Sequence, residues 1–277
     1  MFTTRFAPSP TGYLHLGHFF SAWTAFSRAR AERGVFRLRL EDIDPTRCRP
    51  EYAAAIVEDL AWAGMFWDGA VRVQSRHLVE YGAAAERLER MGLLYACFCS
   101  RSEIARAQAA PHGAGAVYPG TCRRLSAEER ADKMAAGLPY ALRLDVGRAM
   151  AGAGKPRFFE ESEGWVTAAP ELLGDVILAR REVPTSYHLC VVHDDAVQGV
   201  THVIRGEDLR DSTHIHVLLQ HVLGLPTPVY AHHRLLTDAA GKRLAKRDFA
   251  ATLRSMREAG ETPAGLWRRV GEFRAVA

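Results

Sequence analysis

The chain has 277 residues, of which 48% are hydrophobic and 25% are charged, and its mean hydropathy is -0.14. These values are typical of a soluble globular protein, and they exclude a largely disordered chain and a membrane-embedded one. The net charge of +4 permits a polyanionic partner such as RNA without requiring one. The N-terminus lacks the basic, apolar and small-residue succession of a signal peptide, so we expect a cytoplasmic protein that does not bind a membrane.

The first hundred residues alternate between strand-like and helix-like patterns. Strands are predicted over Thr3–Pro8 and Val35–Glu41, and helices over Leu16–Arg33, Ala53–Ala63 and Leu78–Met91. Strands that alternate with helices in this way are typical of a parallel sheet covered by helices. The sequence therefore predicts an α/β fold.

The pattern changes near Tyr95 and becomes rich in Cys, Gly, Ala and Pro. Ser126 and Glu129 have the spacing of a capping box and predict a helix start. Short strands are predicted over Ala141–Val146 and Asp175–Ala179. We interpret this region as an insertion between two halves of the sheet.

The sheet is predicted to resume with buried strands over Leu189–His193 and His202–Arg205, followed by a helix over Thr213–Leu223. The tail from Ala250 onward is predicted to be helical. We divide the chain into a first catalytic half (1–95), an inserted subdomain (96–185), a second catalytic half (186–235), and a basic loop with a helical tail (236–277).

The first motif lies where the first predicted strand turns into the first helix. Residues 8–18 read Pro-Ser-Pro-Thr-Gly-Tyr-Leu-His-Leu-Gly-His. A helix N-terminus attracts phosphate through its unpaired N–H groups, and His15 and His18 share one face there. The two histidines are therefore candidates for binding a nucleotide. The alternative for an isolated pair is two polar surface residues at a helix start.

The second motif is the basic segment at residues 241–248, Gly-Lys-Arg-Leu-Ala-Lys-Arg-Asp. A cationic loop can close over a triphosphate and neutralise the leaving pyrophosphate. The alternative is a solvated basic turn.

The third motif is a group of three cysteines, Cys97, Cys99 and Cys122. Three thiolates with a fourth donor nearby complete a tetrahedral structural zinc site, and Cys-x-Cys is too tight for a disulfide within itself. The alternative is three free thiols without a metal.

The two nucleotide motifs together resemble the HIGH and KMSKS signatures of the class I aminoacyl-tRNA synthetases. Arg5–Gly12, Glu41–Arg47 and Val203–Leu209 resemble the glutamyl-tRNA synthetase catalytic core, and the similarity runs to about Asp248. The resemblance implies a Rossmann-like parallel sheet with an inserted zinc-bearing, acceptor-type subdomain and a short helical tail. Ala245 departs from the signature, which has Ser there, and this implies a weaker contribution of the loop.

The resemblance also implies a role for individual residues. It implies a glutamate pocket in which Glu41 receives the substrate's ammonium group, and catalytic residues that bind ATP with Mg²⁺. The glutamate residues are Arg5, Ala7, Ser9, Glu41, Tyr187 and Arg205; the ATP residues are His15, His18 and Lys246; the zinc ligands are Cys97, Cys99, Tyr118 and Cys122. His112 is the alternative to Tyr118, and for Arg5 and Arg205 the alternative is an ion pair with Glu41 or Glu207.

The rest of the sequence indicates which synthetases within this family the chain resembles most. Only about thirty residues follow Asp248, so we expect no anticodon-binding domain. Tyr187–Leu189 and Val191–His202 resemble the glutamyl-queuosine tRNA(Asp) synthetases. This resemblance implies a monomer that activates L-glutamate with ATP and transfers it to queuosine in the anticodon of tRNA(Asp).

Three alternatives stay open. One is a truncated glutamyl-tRNA synthetase that charges a tRNA 3′ end, and another is a catalytically silent tRNA-binding module. The last is a nucleotidyltransferase of the same superfamily, which leaves Arg5, Glu41 and Arg205 without a role.

Overall fold

The computed structural model describes residues 1–100, 103, 117–180, 183–236 and 251–275. The chain opens with a parallel sheet in the order β1-β2-β3, and helices precede and follow its later strands. The strands are β1 (Thr3–Phe6), β2 (Val35–Leu40) and β3 (Arg72–Val73), and the helices are α1 (Leu16–Ala31), α2 (Pro50–Trp62) and α3 (Leu78–Arg90). The predicted parallel α/β opening is confirmed.

Small residues bring α1 close to the first sheet. Ala22, Ala25 and Ala29 recur at helical spacing and are buried, and they pack with Phe36 and Leu38 of β2 in one apolar core. On the other helix, α2 begins three residues before its predicted start. Pro50 occupies its first turn, where the fixed φ of proline suits a helix and its missing N–H costs nothing.

A second sheet has the order β7-β6-β10-β9. Its strands are β6 (Arg157–Glu160), β7 (Gly164–Thr167), β9 (His202–Gly206) and β10 (Val229–His233). β10 runs parallel to both β9 and β6, and β7 is antiparallel to β6. The backbone N–H of Thr201, just before β9, donates to the carbonyl of Thr3 at 2.9 Å. The two sheets therefore meet along β1 and β9.

A third, antiparallel sheet has the order β4-β5-β8. Its strands are β4 (Leu94–Cys97), β5 (Ala141–Leu144) and β8 (Ile177–Arg180), accompanied by α4 (Ala127–Ala135) and α5 (Val146–Ala153). The predicted capping box at the start of α4 is confirmed, because Ser126 and Glu129 exchange hydrogen bonds of 2.7 and 3.0 Å. β6 and β7 belong by sequence to the predicted insertion, but β6 pairs with β10 and joins both strands to the second sheet. The four-segment division of the chain stays a prediction.

One predicted strand is wrong. Leu189–His193 lies within a helix, α6 (Tyr187–Val197), which packs against α7 (Ser212–Val222). The run Leu-Cys-Val-Val is buried at every position, so it shows neither the period of a strand nor that of a helix. Both helices bury their apolar residues against α3, β4 and α5 in a second core. No helix among the described residues is long and apolar enough to cross a membrane.

The last described segment folds back onto the first sheet. It contains α8 (Leu253–Glu258) and α9 (Pro263–Ala275). Leu253 and Leu266 are fully buried in the first core, and the Trp267 ring lies 3.7 Å from that of Trp23. The N–H of Leu253 donates to the carbonyl of Leu14 at 2.8 Å, so the tail contacts the loop that leads into α1.

Asp194 of α6 is the acceptor that joins three other elements of the first half. Its fully buried carboxylate accepts from Arg72 Nε at 2.6 Å, Gln74 Nε2 at 2.9 Å and the Tyr81 hydroxyl at 2.9 Å. Burial alone would raise the pKa of Asp194, but His193 and Arg39, together with Gln74 and Arg72, outweigh it and lower the pKa to about 2. The carboxylate is thus ionised throughout the physiological range.

We predict that Asp194→Asn lowers the free energy of unfolding by about 3 kcal/mol, because it removes a buried counter-charge from Arg72 and Arg39. Urea titration at neutral pH measures this difference. The native pKa is lowered, so the stabilisation is present above the ordinary carboxyl pKa and is lost as the pH falls toward 2. The gap between wild type and variant should therefore narrow in acid. Asp211→Asn, at an exposed position, is the control and should change stability by less than about 0.5 kcal/mol.

Candidate active site

A cavity of about 360 Å³ opens where the carboxyl ends of β1, β9 and β10 meet the N-terminus of α1. Ligands in open α/β sheets bind at such strand ends. The structure brings eight predicted site residues together around this cavity: Arg5, Ala7, Ser9, His15, His18, Glu41, Tyr187 and Arg205. Lys246, Ala245 and the rest of the basic segment lie outside the described residues.

His15 and His18 form one end of the cavity, and their orientation is set by the helix start. The Gly17 N–H donates to His15 Nδ1 at 3.1 Å, and the His15 N–H donates to His18 Nδ1 at 3.3 Å. Because both rings accept at Nδ1, each neutral imidazole carries its proton on Nε2, a tautomer that can donate to an anion. The rings stack 3.8 Å apart.

Gly17 is required for this arrangement. A Cβ at this position would lie 2.9 Å from His15 Cε1 and 3.1 Å from its Nδ1, so any side chain would displace the capping ring. The sequence did not show that a histidine, rather than Ser or Asp, caps α1.

A buried charge cluster forms the other end of the cavity. Asp195 accepts from Arg5 Nε at 2.9 Å and from Arg39 Nη1 at 2.8 Å, and Arg39 Nη2 donates to Glu41 at 3.4 Å. The ion pair expected as the alternative for Arg5, with Glu41 or Glu207, is wrong because its partner is Asp195. Asp195 and Arg39 were not predicted from the sequence, because their proximity depends on the orientation of α6.

Glu41 has an unusual protonation equilibrium within this cluster. Burial raises its pKa, and the positive charges of Arg39 and Arg5 offset this effect only in part. Any further cation that enters the cavity therefore stabilises the ionised form of Glu41.

Arg205 of β9 differs from the other arginines at the cavity. It is 4% exposed, and its nitrogens contact the Tyr187 hydroxyl (3.4 Å), His216 Nδ1 (3.3 Å), Thr213 Oγ1 (2.8 Å) and His232 Nε2 (3.2 Å). No carboxylate in the described parts of the chain pairs with it, so the alternative of an ion pair with Glu41 or Glu207 is wrong here too. A buried cation without a counter-charge is costly, and an anion entering the cavity removes that cost.

Several cavity residues were not predicted from the sequence. Among them are His233, whose Nε2 lies 3.1 Å from Ser21 Oγ, and Gly206, where a Cβ would lie 2.5 Å from an Asp208 oxygen. They were missed because β10, which is short and contains two histidines, was not predicted as a strand. Had it been recognised as a parallel strand, its carboxyl end would have indicated these residues.

The cysteine cluster lies at β4 and the turn that contains Cys122, and it does not contribute to the described cavity lining. The three sulfur atoms lie within 4.8 Å of one another, and Cys99 and Cys122 are 3.5 Å apart. Sulfur atoms bound tetrahedrally at about 2.3 Å from a zinc ion are roughly 3.8 Å apart, so the spacing suits a metal. His112 lies outside the described residues.

Tyr118 occupies the fourth corner of this cluster. Its hydroxyl lies 3.3 Å from the Cys97 sulfur and 3.4 Å from that of Cys99. The Arg143 guanidinium lies 3.9 Å above the ring and helps to fix it. Although burial opposes ionisation, the Phe98 N–H and the Tyr118 hydroxyl lower the pKa of Cys122. The three sulfurs together can bind a metal ion.

The sequence profile of the family described as "tRNA synthetases class I (E and Q), catalytic domain" matches residues 1–273. The chain belongs to this family. Among curated proteins, the chain is 51% identical to the glutamyl-Q tRNA(Asp) synthetase of Rhodobacter capsulatus over 97% of this chain and 99% of that protein. Its identity to the glutamyl-Q tRNA(Asp) synthetase of Nocardia farcinica is 44%, over 94% of this chain and 80% of that protein.

Solved structures agree on the fold. A glutamate tRNA ligase from Elizabethkingia meningosepticum, in complex with its amino acid, superposes with a TM-score of 0.76 at 30% identity and covers 89% of this chain. The match extends over 52% of that ligase, so the chain spans about half of its length. The chain thus has the class I synthetase catalytic fold and is an aminoacyl-tRNA-synthetase-type ligase, as its sequence predicted.

We predict that this class I synthetase binds a metal at the cysteine cluster. Protein purified without chelators should contain metal in an amount comparable to the chain, and Cys122→Ser should lose most of it, because a hydroxyl replaces one thiolate. Elemental analysis measures the content. Cys48→Ser, outside the cluster, is the matched control. Wild-type protein that stays metal-free after reconstitution would indicate three free thiols.

Proposed function

We propose that the chain activates L-glutamate with ATP and transfers the glutamyl group to queuosine in the anticodon of tRNA(Asp). Two relatives that carry the name glutamyl-Q tRNA(Asp) synthetase support this acceptor, because the similarity extends over 80% and 99% of their lengths. The division into catalytic halves and insertion is part of the same proposal.

Arg205 supports glutamate as the amino acid, because it is buried and has no carboxylate partner among the described residues. A substrate carboxylate supplies the missing charge through hydrogen bonds to the guanidinium. Arg5 and Tyr187 donate further hydrogen bonds to the substrate, and Glu41 accepts a hydrogen bond from its ammonium group. Ala7 and Ser9 form the wall beside them.

The charge of this end of the cavity suits glutamate. Arg5 and Arg39 are paired with carboxylates, whereas Arg205 has no carboxylate partner among the described residues and keeps its positive charge. The carboxylates around Arg5 and Arg39 are Glu41, Asp194 and Asp195. Glutamate carries one net negative charge at neutral pH. Glutamine carries none, so the cavity favours the acid over the amide.

At the other end, His15, His18 and Lys246 are proposed to bind ATP. An oxygen of the glutamate α-carboxylate attacks the α-phosphorus in line, and the bond between that phosphorus and the bridging oxygen to the β-phosphate breaks to release pyrophosphate. The imidazole N–H groups and the lysine stabilise the charge that develops on the phosphates. ATP enters as its magnesium complex, which supplies further neutralisation.

In the second step, a hydroxyl of the queuosine cyclopentenediol attacks the carbonyl carbon of glutamyl adenylate. The carbon–oxygen bond to the phosphate breaks, an ester forms, AMP leaves and the hydroxyl proton passes to solvent. No covalent bond to the protein is needed.

Zinc is the metal proposed for the cysteine cluster, with Cys97, Cys99, Tyr118 and Cys122 as ligands. Three sulfurs and one oxygen at tetrahedral spacing suit zinc better than the harder cations magnesium and calcium. The site holds β4 and the turn at Cys122 together, and so its role is structural.

Glutamate-dependent exchange of pyrophosphate into ATP, measured without tRNA, tests the first step. Transfer of labelled glutamate is then compared among tRNA(Asp) with queuosine, the same tRNA without it, and the queuosine-bearing anticodon stem-loop, which has no acceptor end. We expect exchange and labelling of both queuosine-bearing RNAs. Labelling of tRNA(Glu) at its 3′ end would favour the truncated synthetase, and absence of exchange would favour the silent module.

We predict that the KM for glutamate rises as the pH falls. Burial raises the pKa of Glu41, so acid protonates this carboxyl and removes the acceptor for the substrate's ammonium group. Glu41→Gln should have a KM roughly tenfold higher at neutral pH, from the loss of a charged hydrogen bond, and a flatter pH profile. Both proteins share the titration of the substrate itself, so their difference isolates Glu41. Parallel profiles would contradict this role.

A further inference from the structure

A carboxylate and an imidazole form a buried pair beside Arg205 that does not line the cavity. His232 of β10 stands at the same register as Arg205 on the neighbouring strand, and Glu160 is the last residue of β6. The side chains of His232 and Glu160 are 0% and 1% exposed. The pairing of β6, β10 and β9 thus lets the side chains of three ionisable groups meet in the interior.

The hydrogen bonds fix the tautomer of His232. Glu160 Oε1 accepts the backbone N–H of His232 at 3.1 Å, and Oε2 lies 2.7 Å from His232 Nδ1. A carboxylate only accepts, so the ring proton is on Nδ1 and Nε2 has the lone pair. Arg205 Nε donates to that lone pair at 3.2 Å.

A second imidazole supports the guanidinium from Nη1. His216 accepts there with Nδ1, so its proton is on Nε2 and is directed to His188 Nδ1 at 3.2 Å. Burial lowers the pKa of His232 to about 4 in spite of Glu160, and it lowers that of His216 far below its ordinary value. Both rings are therefore neutral acceptors at physiological pH.

We propose that Glu160 and His232 are positioning residues, which orient Arg205 toward the substrate's carboxylate without neutralising it; this rests on the proposed binding of glutamate by Arg205. A carboxylate in direct contact with the guanidinium would form a bidentate pair and compete with the substrate. The imidazole ring between them keeps the Glu160 charge one ring away. Within the described parts of the chain, four of the five N–H groups have acceptors, and one on Nη2 is left for the ligand.

Glu160→Gln tests the pair because an amide of the same shape cannot accept with both of its end atoms. Either its NH₂ faces the His232 backbone N–H, or it faces Nδ1 and favours the tautomer that directs Nε2–H at Arg205. In pyrophosphate exchange we expect the KM for glutamate to rise roughly tenfold while the KM for ATP stays unchanged. Glu161→Gln, which removes a surface ion pair with Arg28, is the control and should leave both constants unchanged.

Variants of the histidine separate positioning from folding. In His232→Gln the amide oxygen can replace Nε2 as the acceptor, so this variant should bind glutamate better than His232→Leu does. Thermal unfolding of every variant is measured alongside. A purely structural pair would lower the melting temperatures and leave the KM for glutamate unchanged, and that outcome overturns the proposal.

The nitrogen NMR spectrum of the histidine rings shows which ring nitrogen carries the proton, and it is measured without substrate. We expect His232 of the wild type to be protonated on Nδ1 and this tautomer to be lost or mixed in Glu160→Gln. A wild-type ring protonated on Nε2 would overturn the positioning pair even if the enzyme activates glutamate. Absence of exchange in the wild type, before any variant is compared, would instead overturn the proposed function and with it the role of the pair.

Discussion

The structure depends on how guanidinium groups are accommodated where water is excluded. Asp194 and Asp195, neighbours on α6, supply carboxylates to arginines from β1, β2 and β3. Removing such groups from water costs several kcal/mol each unless the partners are well placed. The first sheet can therefore carry arginines on buried strands only because α6 lies against it. The same helix begins with Tyr187 at the cavity, so the requirement for stability and the shape of the site are met by one element.

Arg205 is accommodated without a carboxylate partner among the described residues. Its acceptors are a hydroxyl, a phenol and two imidazoles, all of which hold the guanidinium in place without cancelling its charge. The buried arginines near the cavity are thus of two kinds. Arg5 and Arg39 have carboxylate partners that stabilise the fold, and Arg205, with neutral acceptors, keeps its electrostatic attraction for a ligand. Hydrogen-bond acceptors and a counter-charge are separate requirements of a buried guanidinium. Within the part of the chain that the structure describes, Arg205, at the cavity, has the acceptors but not the counter-charge.

The sequence predicted the parallel opening, the capping box of α4 and eight of the residues that line the cavity. These features are local or lie in short motifs, such as the segment around His15. The rest depends on contacts between distant parts of the chain. Asp195 was missed because the segment before it, Leu189–His193, was interpreted as a strand, so the helix that brings Asp195 to Arg5 was not expected. Glu160 and His232 meet only because β6 pairs with β10, and nothing in the seventy residues between them indicates that pairing.

The contact between the tail and the loop before α1 couples the last described segment of the chain to the first motif. Leu253 and Leu266 are buried in the first core, and the N–H of Leu253 donates to the carbonyl of Leu14, the residue before His15. Loss of the tail would therefore expose apolar residues of the first sheet to water and remove a backbone contact from the loop that carries His15. The geometry of the two histidines is thus a long-range property of the fold, because it depends on contacts between segments more than two hundred residues apart in the sequence.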